Sequence, residues 1–401
     1  MVILISLLLI FIVIAIFIFI LFKSKNFKLN VNLIMTLICT LFIVNIVLSP
    51  ERSLKSALYG GKLFITSVFP SIFPFLILIN IMISFDGINI YSKILGNIIC
   101  RPLRLPKNCS VVLIVSMLCG YPLGAKYAYD LYKKNAIDIH TCHRLINIAS
   151  NPSPIFILGV VGASMLKNSS LGVLLLLSTY LSCVIMALIL PRKKNMYFKE
   201  KVDKINTPKE NKTLGEILKS STDNAFKTAF SIGGFIVLFS VLTSIIKNNI
   251  LSDIVLKNLS LIFNIEKSAL EGFFFGLLEM TNGCSLIAPI NMNIMYKLVI
   301  ISFLLAFSGL SIISQTYSII HNSKLSLNKY IKLKFVQGII CSIITVILYK
   351  INIFNIAKET FSQQVLFYNK NSFIILLLFE MILLITPIII YKLKKLFSCV
   401  S

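Results

Sequence analysis

The amino-acid sequence predicts an all-α polytopic membrane protein, with about nine transmembrane helices plus two re-entrant elements. Three observations carry that prediction. Of the 401 residues, 57% are hydrophobic and only 13% charged, whereas a soluble domain is close to a quarter charged. Apolar runs long enough to cross about 30 Å of hydrocarbon recur along the chain. The charge is also lopsided: 39 Lys and Arg face 15 Asp and Glu, a formal +24, and much of it gathers in a few loops, as the positive-inside rule requires. The same figures exclude a disordered chain, a collagen, a coiled coil and a small disulfide scaffold. In a soluble protein the basic excess would suggest nucleic acid. Here it predicts cytoplasmic loops against anionic headgroups, so the expected partner is the lipid bilayer, with no nucleic acid.

Residues 1–22 are an unbroken apolar run. A secretory signal would carry positive charge before its core and a small-residue cleavage site after it. This run has neither, and Lys23, Lys25 and Lys28 follow it, so it is expected to be an anchored helix with its N-terminus outside. Further apolar segments cover roughly 31–49, 62–85, 109–129, 143–166, 171–190, 226–247, 268–289, 295–320, 333–350 and 371–391. From Pro191 to Lys227 the chain holds ten Lys/Arg against five Asp/Glu and should be cytoplasmic. The end of that loop, with Leu214, Ile217, Leu218 and Phe226, has the spacing of a helix lying on the interface. The tail, with Lys392, Lys394 and Lys395, should be cytoplasmic too.

Parity then matters. Five apolar segments separate the basic loop from the tail, and five full crossings would leave the tail outside. One of them is expected to be re-entrant. Because the loop bearing Lys324, Lys329, Lys332 and Lys334 should also face inward, the odd element is 268–289 or 295–320. The first half gives the same answer: Lys93, Arg101, Arg104 and Lys107 put 86–108 inside, so 109–129 or 143–166 fails to cross.

The two halves also match in the placement of helix breakers. Phe69, Pro70 and Pro74 open one long segment as Phe230, Gly233 and Gly234 open another, about 160 residues on. At nearly the same spacing, Ser116 to Gly124 faces Gly276 to Cys284, and Asn151-Pro-Ser-Pro154 faces the polar run Ser308 to Gln315. With 62–85 running inward and 226–247 outward, the expected repeat is inverted, an arrangement recurrent in secondary transporters with a midplane site.

The breaks hold the candidate chemistry. Gly120-Tyr-Pro-Leu-Gly124 stops a helix inside an apolar stretch, since proline lacks an N–H and glycine admits left-handed turns. Non-helical backbone at membrane depth is tolerated only when buried in protein or lining a cavity. Gly120, Tyr121, Pro122 and Gly124 therefore read as a ligand cradle or as a helix kink, and Lys126 as an interface lysine or a charge turned toward a cavity. Glu279, Thr281, Asn282 and Gly283 bring a carboxylate, a hydroxyl, an amide and a glycine together. A carboxylate in the bilayer core costs a few kcal/mol and should face protein or water. It would bind or gate, or make a structural hydrogen bond, with Lys126 its counter-charge if the two broken elements meet. Glu271 is expected at the interface, and Glu380 within the last segment. Asn151, in a proline-broken helix entry with Asn147 and Ser150, and Gln315, on one face with Ser308 and Ser311, suit polar-solute recognition or packing between helices.

Other chemistry is missing from the pattern. The nine cysteines are scattered without a Cys-x-x-Cys and read as small buried hydrophobes. His140 and His143 lack a further ligand at zinc spacing, so no metal and no cofactor is expected. With no phosphate-binding loop and no hydrolase motif, the chain is not expected to be an enzyme.

The motifs Pro70-Ser-Ile-Phe-Pro-Phe75, Cys119-Gly-Tyr-Pro-Leu-Gly-Ala-Lys126, Asn151-Pro-Ser-Pro-Ile-Phe-Ile-Leu-Gly159 and Glu279-Met-Thr-Asn-Gly283 resemble, in order and spacing, the YlbJ-type sporulation integral membrane proteins with nucleoside-recognition (Gate) domains. The resemblance covers roughly residues 50–350. It implies a role in spore cortex formation, in mother-cell membranes during sporulation. Related Gate domains occur in concentrative nucleoside carriers and in the pore part of ferrous-iron permeases. The domain plan that follows is an N-terminal helix pair (1–50), a first Gate-like repeat (51–190), a basic cytoplasmic loop with an interfacial helix (191–225), a second Gate-like repeat (226–350), and a last helix with its basic tail (351–401). The expected function is binding or moving a small polar solute, with Glu279, Thr281 and Asn282 facing it, the Gly120–Gly124 break opposite, and Glu279 able to titrate in proton coupling. The alternatives are a scaffold that localises cortex-synthesis proteins, with other sporulation membrane proteins as partners, and a membrane enzyme of cell-wall precursor chemistry, for which only Glu279 and Lys126 could serve.

Overall fold

The structure is a computed structural model and describes residues 31–85, 87–191, 213–321 and 326–351. The expected helices at 1–22 and 371–391, Glu380, the core of the basic loop and the tail lie outside the described residues. Every regular element among the described residues is helical. Four helices there are long and apolar enough to cross a bilayer: Ser169–Ile189, Leu214–Lys247, Ile294–Ile320 and Leu327–Ile351. A fifth crossing results if the bent pair at the start of the described chain is one span.

Helix α1 (Val31–Leu48) is uncharged and mostly apolar and meets α2 (Pro50–Leu63) at a 105° bend, where Ser49 leaves helical geometry and Pro50 takes the first helical position. A single π turn, Phe64–Val68, carries α2 on into α3 (Phe69–Ser84). The apolar segment expected to start near residue 62 is therefore the second half of a helix begun at Pro50. That helix packs antiparallel on α10 (Leu214–Lys247). Gly60 lies against Ser240 and Gly233 against the Phe64 ring, and Asn80 donates to the Ser221 carbonyl at 3.2 Å. Phe69 stacks on Phe73 with ring centroids 4.6 Å apart, and Phe73 meets Phe226 at the same separation.

Two expectations change at α10. The stretch with Leu214, Ile217 and Leu218 is the first turns of the crossing helix itself, not a separate interfacial one. A capping box starts it: Thr213 Oγ1 accepts from the Glu216 N–H, and Glu216 accepts from the Thr213 N–H. Gly233 and Gly234 do not break it, because Gly233 is used to admit the Phe64 ring.

Short helices α4 (Gly87–Ile94) and α5 (Gly96–Cys100) lead to α6 (Ser110–Cys119) and α7 (Leu123–Lys133). The last two form a helical hairpin, since Gly124 sits against Ser116. Helix α8 (Ile139–Ile148) ends in a non-helical stretch before a wide-turned helix, Phe156–Met165, and α9 (Ser169–Ile189) follows. In the second half, α11 (Ile250–Phe263) is an exposed apolar helix that the sequence reading did not isolate. Helices α12 (Lys267–Leu278) and α13 (Met280–Ile287) fold back on each other, Gly272 against Ile287 and Gly276 against Gly283. The hairpin arms hold 8 to 12 residues, about 12–18 Å at 1.5 Å per residue, too short to cross. Helix α14 (Ile294–Phe307) breaks at Ser308, in left-handed geometry at φ 75°, before α15 (Gly309–Ile320). Helix α16 (Leu327–Ile351) closes the described chain. Lys334, expected in the preceding loop, lies two turns inside α16 and is fully buried.

Candidate functional site

Each hairpin tip docks on the broken helix that follows it. In the first half Gly120, at φ 77°, lets the chain reverse against the backbone of Asn151 and Ser153, and the Tyr121 N–H donates to the Asn151 carbonyl at 2.6 Å. Gly124 lies so close to the Ala149 carbonyl that no Cβ fits. In the second half Gly309 brings the α14–α15 break against the Gly276 carbonyl and the Met280 nitrogen.

Freed backbone groups at these breaks find side-chain partners. Glu279, 3% exposed, is the N-cap of α13: its carboxylate accepts from the Thr281 N–H at 3.0 Å and the Asn282 N–H at 2.6 Å. Ser150, past the end of α8, gives its carbonyl to Lys334 Nζ at 2.6 Å, and its hydroxyl bonds Tyr330 Oη at 2.8 Å. Asn151 donates to the Ile148 carbonyl, while its Oδ1 accepts from Gln337 Nε2 at 3.1 Å and from Cys183 Sγ. Lys297 donates to the Ala288 carbonyl at the end of α13. Arg144 donates to the Leu103, Arg104 and Ala187 carbonyls, the last near the end of α9. Basic groups thus cap C-terminal carbonyls and an acid caps an N-terminus, the arrangement helix dipoles favour.

Of the expected site residues, Pro122, Lys126 and Gln315 share a cavity of about 320 Å³ with Asp130, Lys133, Lys227 and Thr228. It lies where α7 meets α10 and α15, between the two halves. Lys126 Nζ donates to Thr228 Oγ1 at 2.7 Å, so Lys126 is not the counter-charge of Glu279. Gln315 is 3% exposed; its Nε2 reaches Ser311, and its Oε1 has no hydrogen-bond partner. Three ammonium groups and one carboxylate line the space. Gly120, Tyr121, Gly124 and Asn151 build the first docked break instead. Thr281, Asn282 and Gly283 belong to the second, where Gly283 is a close-approach position between the hairpin arms. Glu271 lies 3.7 Å from Lys267 at the start of α12.

A second cavity, about 240 Å³, lies between α8 and the start of α16 and is lined by His140, His143, Arg144, Asn147, Lys329 and Tyr330. The histidines face this basic space, and no group of three metal-ligating side chains occurs among the described residues. Sequence reasoning missed Lys334, Tyr330, Gln337 and Arg144. A usable signal existed, since Lys334 and Gln337 stand one turn apart at the edge of an apolar run.

The family description "Gate: Nucleoside recognition" matches residues 65–191, which holds the first hairpin, its docked break and α9. The sporulation integral membrane protein YlbJ of Bacillus subtilis (strain 168) is 29% identical over 346 residues, covering 80% of this chain and 85% of the relative. No solved structure matches. The chain carries a Gate domain over residues 65–191 and is similar, along most of its length, to the YlbJ-type sporulation integral membrane proteins.

Proposed function

We propose that this protein binds or moves a small polar solute across a membrane of a sporulating cell, in support of spore cortex formation, through two Gate-like halves related as an inverted repeat. The observation that carries the reading is the cavity between α7, α10 and α15, which takes residues from both halves, Pro122 beside the first break and Gln315 two turns beyond the second. The repeat is supported by element order. Each half has a long helix, a short helical connection (α4 and α5, or α11), a hairpin with its tip at Gly120 or Glu279, a broken helix, and an apolar spanning helix, α9 or α16. Helices α2–α3 and α10 cross antiparallel with reciprocal contacts, Gly60 with Ser240 and Asn80 with Ser221, as a two-fold axis in the membrane plane requires. The hairpins are the re-entrant elements, and no catalytic step is assigned. The cavity's ammonium excess favours an anionic solute with a hydrogen-bond donor for Gln315 Oε1.

Ligand stabilisation of the detergent-purified protein tests this, with nucleosides, cell-wall precursors, divalent metals and dipicolinate as probes. A ligand at a hundred times its dissociation constant adds about 2.7 kcal/mol to the folded state. The expected result is a saturable rise in melting temperature with an anionic probe, lost in Gln315→Leu and reduced in Lys126→Met. A blank with demonstrably folded protein would favour a scaffold for cortex-synthesis proteins.

A further inference from the structure

We propose that Lys334 is a built-in cation, its ammonium group filling at the unwound end of α8 the place where a free monovalent cation would otherwise bind. Helix α8 stops at Ile148, and a helix end leaves its last carbonyls without intrahelical partners, carrying the negative end of the dipole. In water those oxygens would be solvated. Here the chain just beyond that end is buried too, Ser150 and Asn151 being 0% and 3% exposed, so a donor or a cation has to meet the Ser150 carbonyl. Lys334 Nζ does so from a helix far along the chain, at 2.6 Å from the Ser150 carbonyl and 2.9 Å from Gln337 Oε1. Gln337 in turn donates to Asn151 Oδ1, and Tyr330 holds the Ser150 hydroxyl, so one face of α16 is built around the break.

The ammonium is 0% exposed and, among the described residues, has no carboxylate within 4 Å. A buried charge without a counter-ion is strongly unfavourable unless its surroundings replace water. The Ser150 carbonyl and the Gln337 amide oxygen do that, and oxygens of these two kinds at an unwound helix are what broken-helix transporters turn toward a coupling cation. The corresponding break at Ser308 is seated differently, on the backbone of Gly276 and Met280. The inference extends the transport reading, but its test reads stability and stands whether or not a solute is found. Its consequence is that the protein does not draw on sodium at this place.

The test is thermal melting of purified protein in sodium, potassium, ammonium and choline chlorides at equal ionic strength. The wild type is expected to be indifferent to the cation. Lys334→Ala should melt lower in choline and recover saturably with a small cation; dependence of its extraction on sodium or ammonium would be the same result. Lys334→Met, which fills the space without charge, should be destabilised and show no recovery. The proposal is overturned if the wild type itself is stabilised saturably by sodium, if Lys334→Met matches the wild type, or if no cation restores Lys334→Ala or permits its folding.

Discussion

Glycine at Gly283 is set by contact, not by backbone angle. A Cβ there would lie 2.2 Å from the Gly276 Cα, with the Gly272 carbonyl at 2.9 Å, and backbone cannot step aside as a side chain can. Gly283→Ala should therefore lower stability by about 1–3 kcal/mol or more, read as a lower melting temperature in detergent. Gly234, with nothing within 4 Å of a Cβ, provides the contrast: Gly234→Ala should be neutral or gain about 0.4–1 kcal/mol. Equal losses at the two positions would remove the argument from close approach. In the sequence Gly283 was read with Glu279, Thr281 and Asn282 as a candidate binding or gating group, and Gly233-Gly234 as a helix-breaking pair. Which glycine faces backbone and which faces open space depends on neighbours distant in the chain, so no local pattern records it. The motif at Gly120–Gly124 was legible, because a proline between two glycines is incompatible with a continuing helix.

Helix ends are the next scale, and there the sequence singled out Glu279 with its role left open. Glu279 was expected either to face a solute or to make a structural hydrogen bond. Both of its carboxylate oxygens take backbone N–H groups of α13, a cap whose removal costs about 1 kcal/mol, with a further contribution from the lost charge at the helix N-terminus. Glu279→Ala should lower the melting temperature more than Glu279→Gln, whose amide oxygen still accepts one bond. If the two variants melt with the wild type, the cap contributes nothing and the carboxylate is left for the solute. The continuous α10 shows the opposite outcome. Its polar first turns read as a separate interfacial helix because charge and apolarity change near Phe226, yet Thr213 and Glu216 already spelled a capping box for one long helix.

For the whole molecule, the expectation that can be checked directly is sidedness. The basic loop after α9 and the start of α16 should share the cytoplasmic side, so engineered cysteines at Asn211 and at Asn328, in the first turn of α16, should be labelled from the same face and one at Asn369 from the other. The native background is favourable. Among the described residues Cys39 is the exposed thiol and would be replaced by serine, while burial pushes Cys100 up to about 12, out of reach of thiol reagents at neutral pH. Labelling of Asn211 and Asn328 from opposite faces would remove the parity argument and the inverted repeat with it.

Composition and apolar run length by themselves determined that this chain lives in a bilayer, because a surface so poor in charge cannot be solvated by water. Glycine and proline placement marked the stop at Gly120–Gly124, since those residues act on the backbone locally, but α10 runs on through Gly233 and Gly234 and Pro74 lies inside α3. Only the tertiary structure decided what meets the stopped ends. Lys334 looked like one more loop lysine, and its burial against the Ser150 carbonyl follows from the packing of α16 on α9 and the end of α8, contacts made across more than a hundred residues. Lys126 was likewise turned to Thr228, not to Glu279, by the position of α10. A buried polar group must find a partner, but the sequence supplies many candidates, and the fold alone brings one of them within reach.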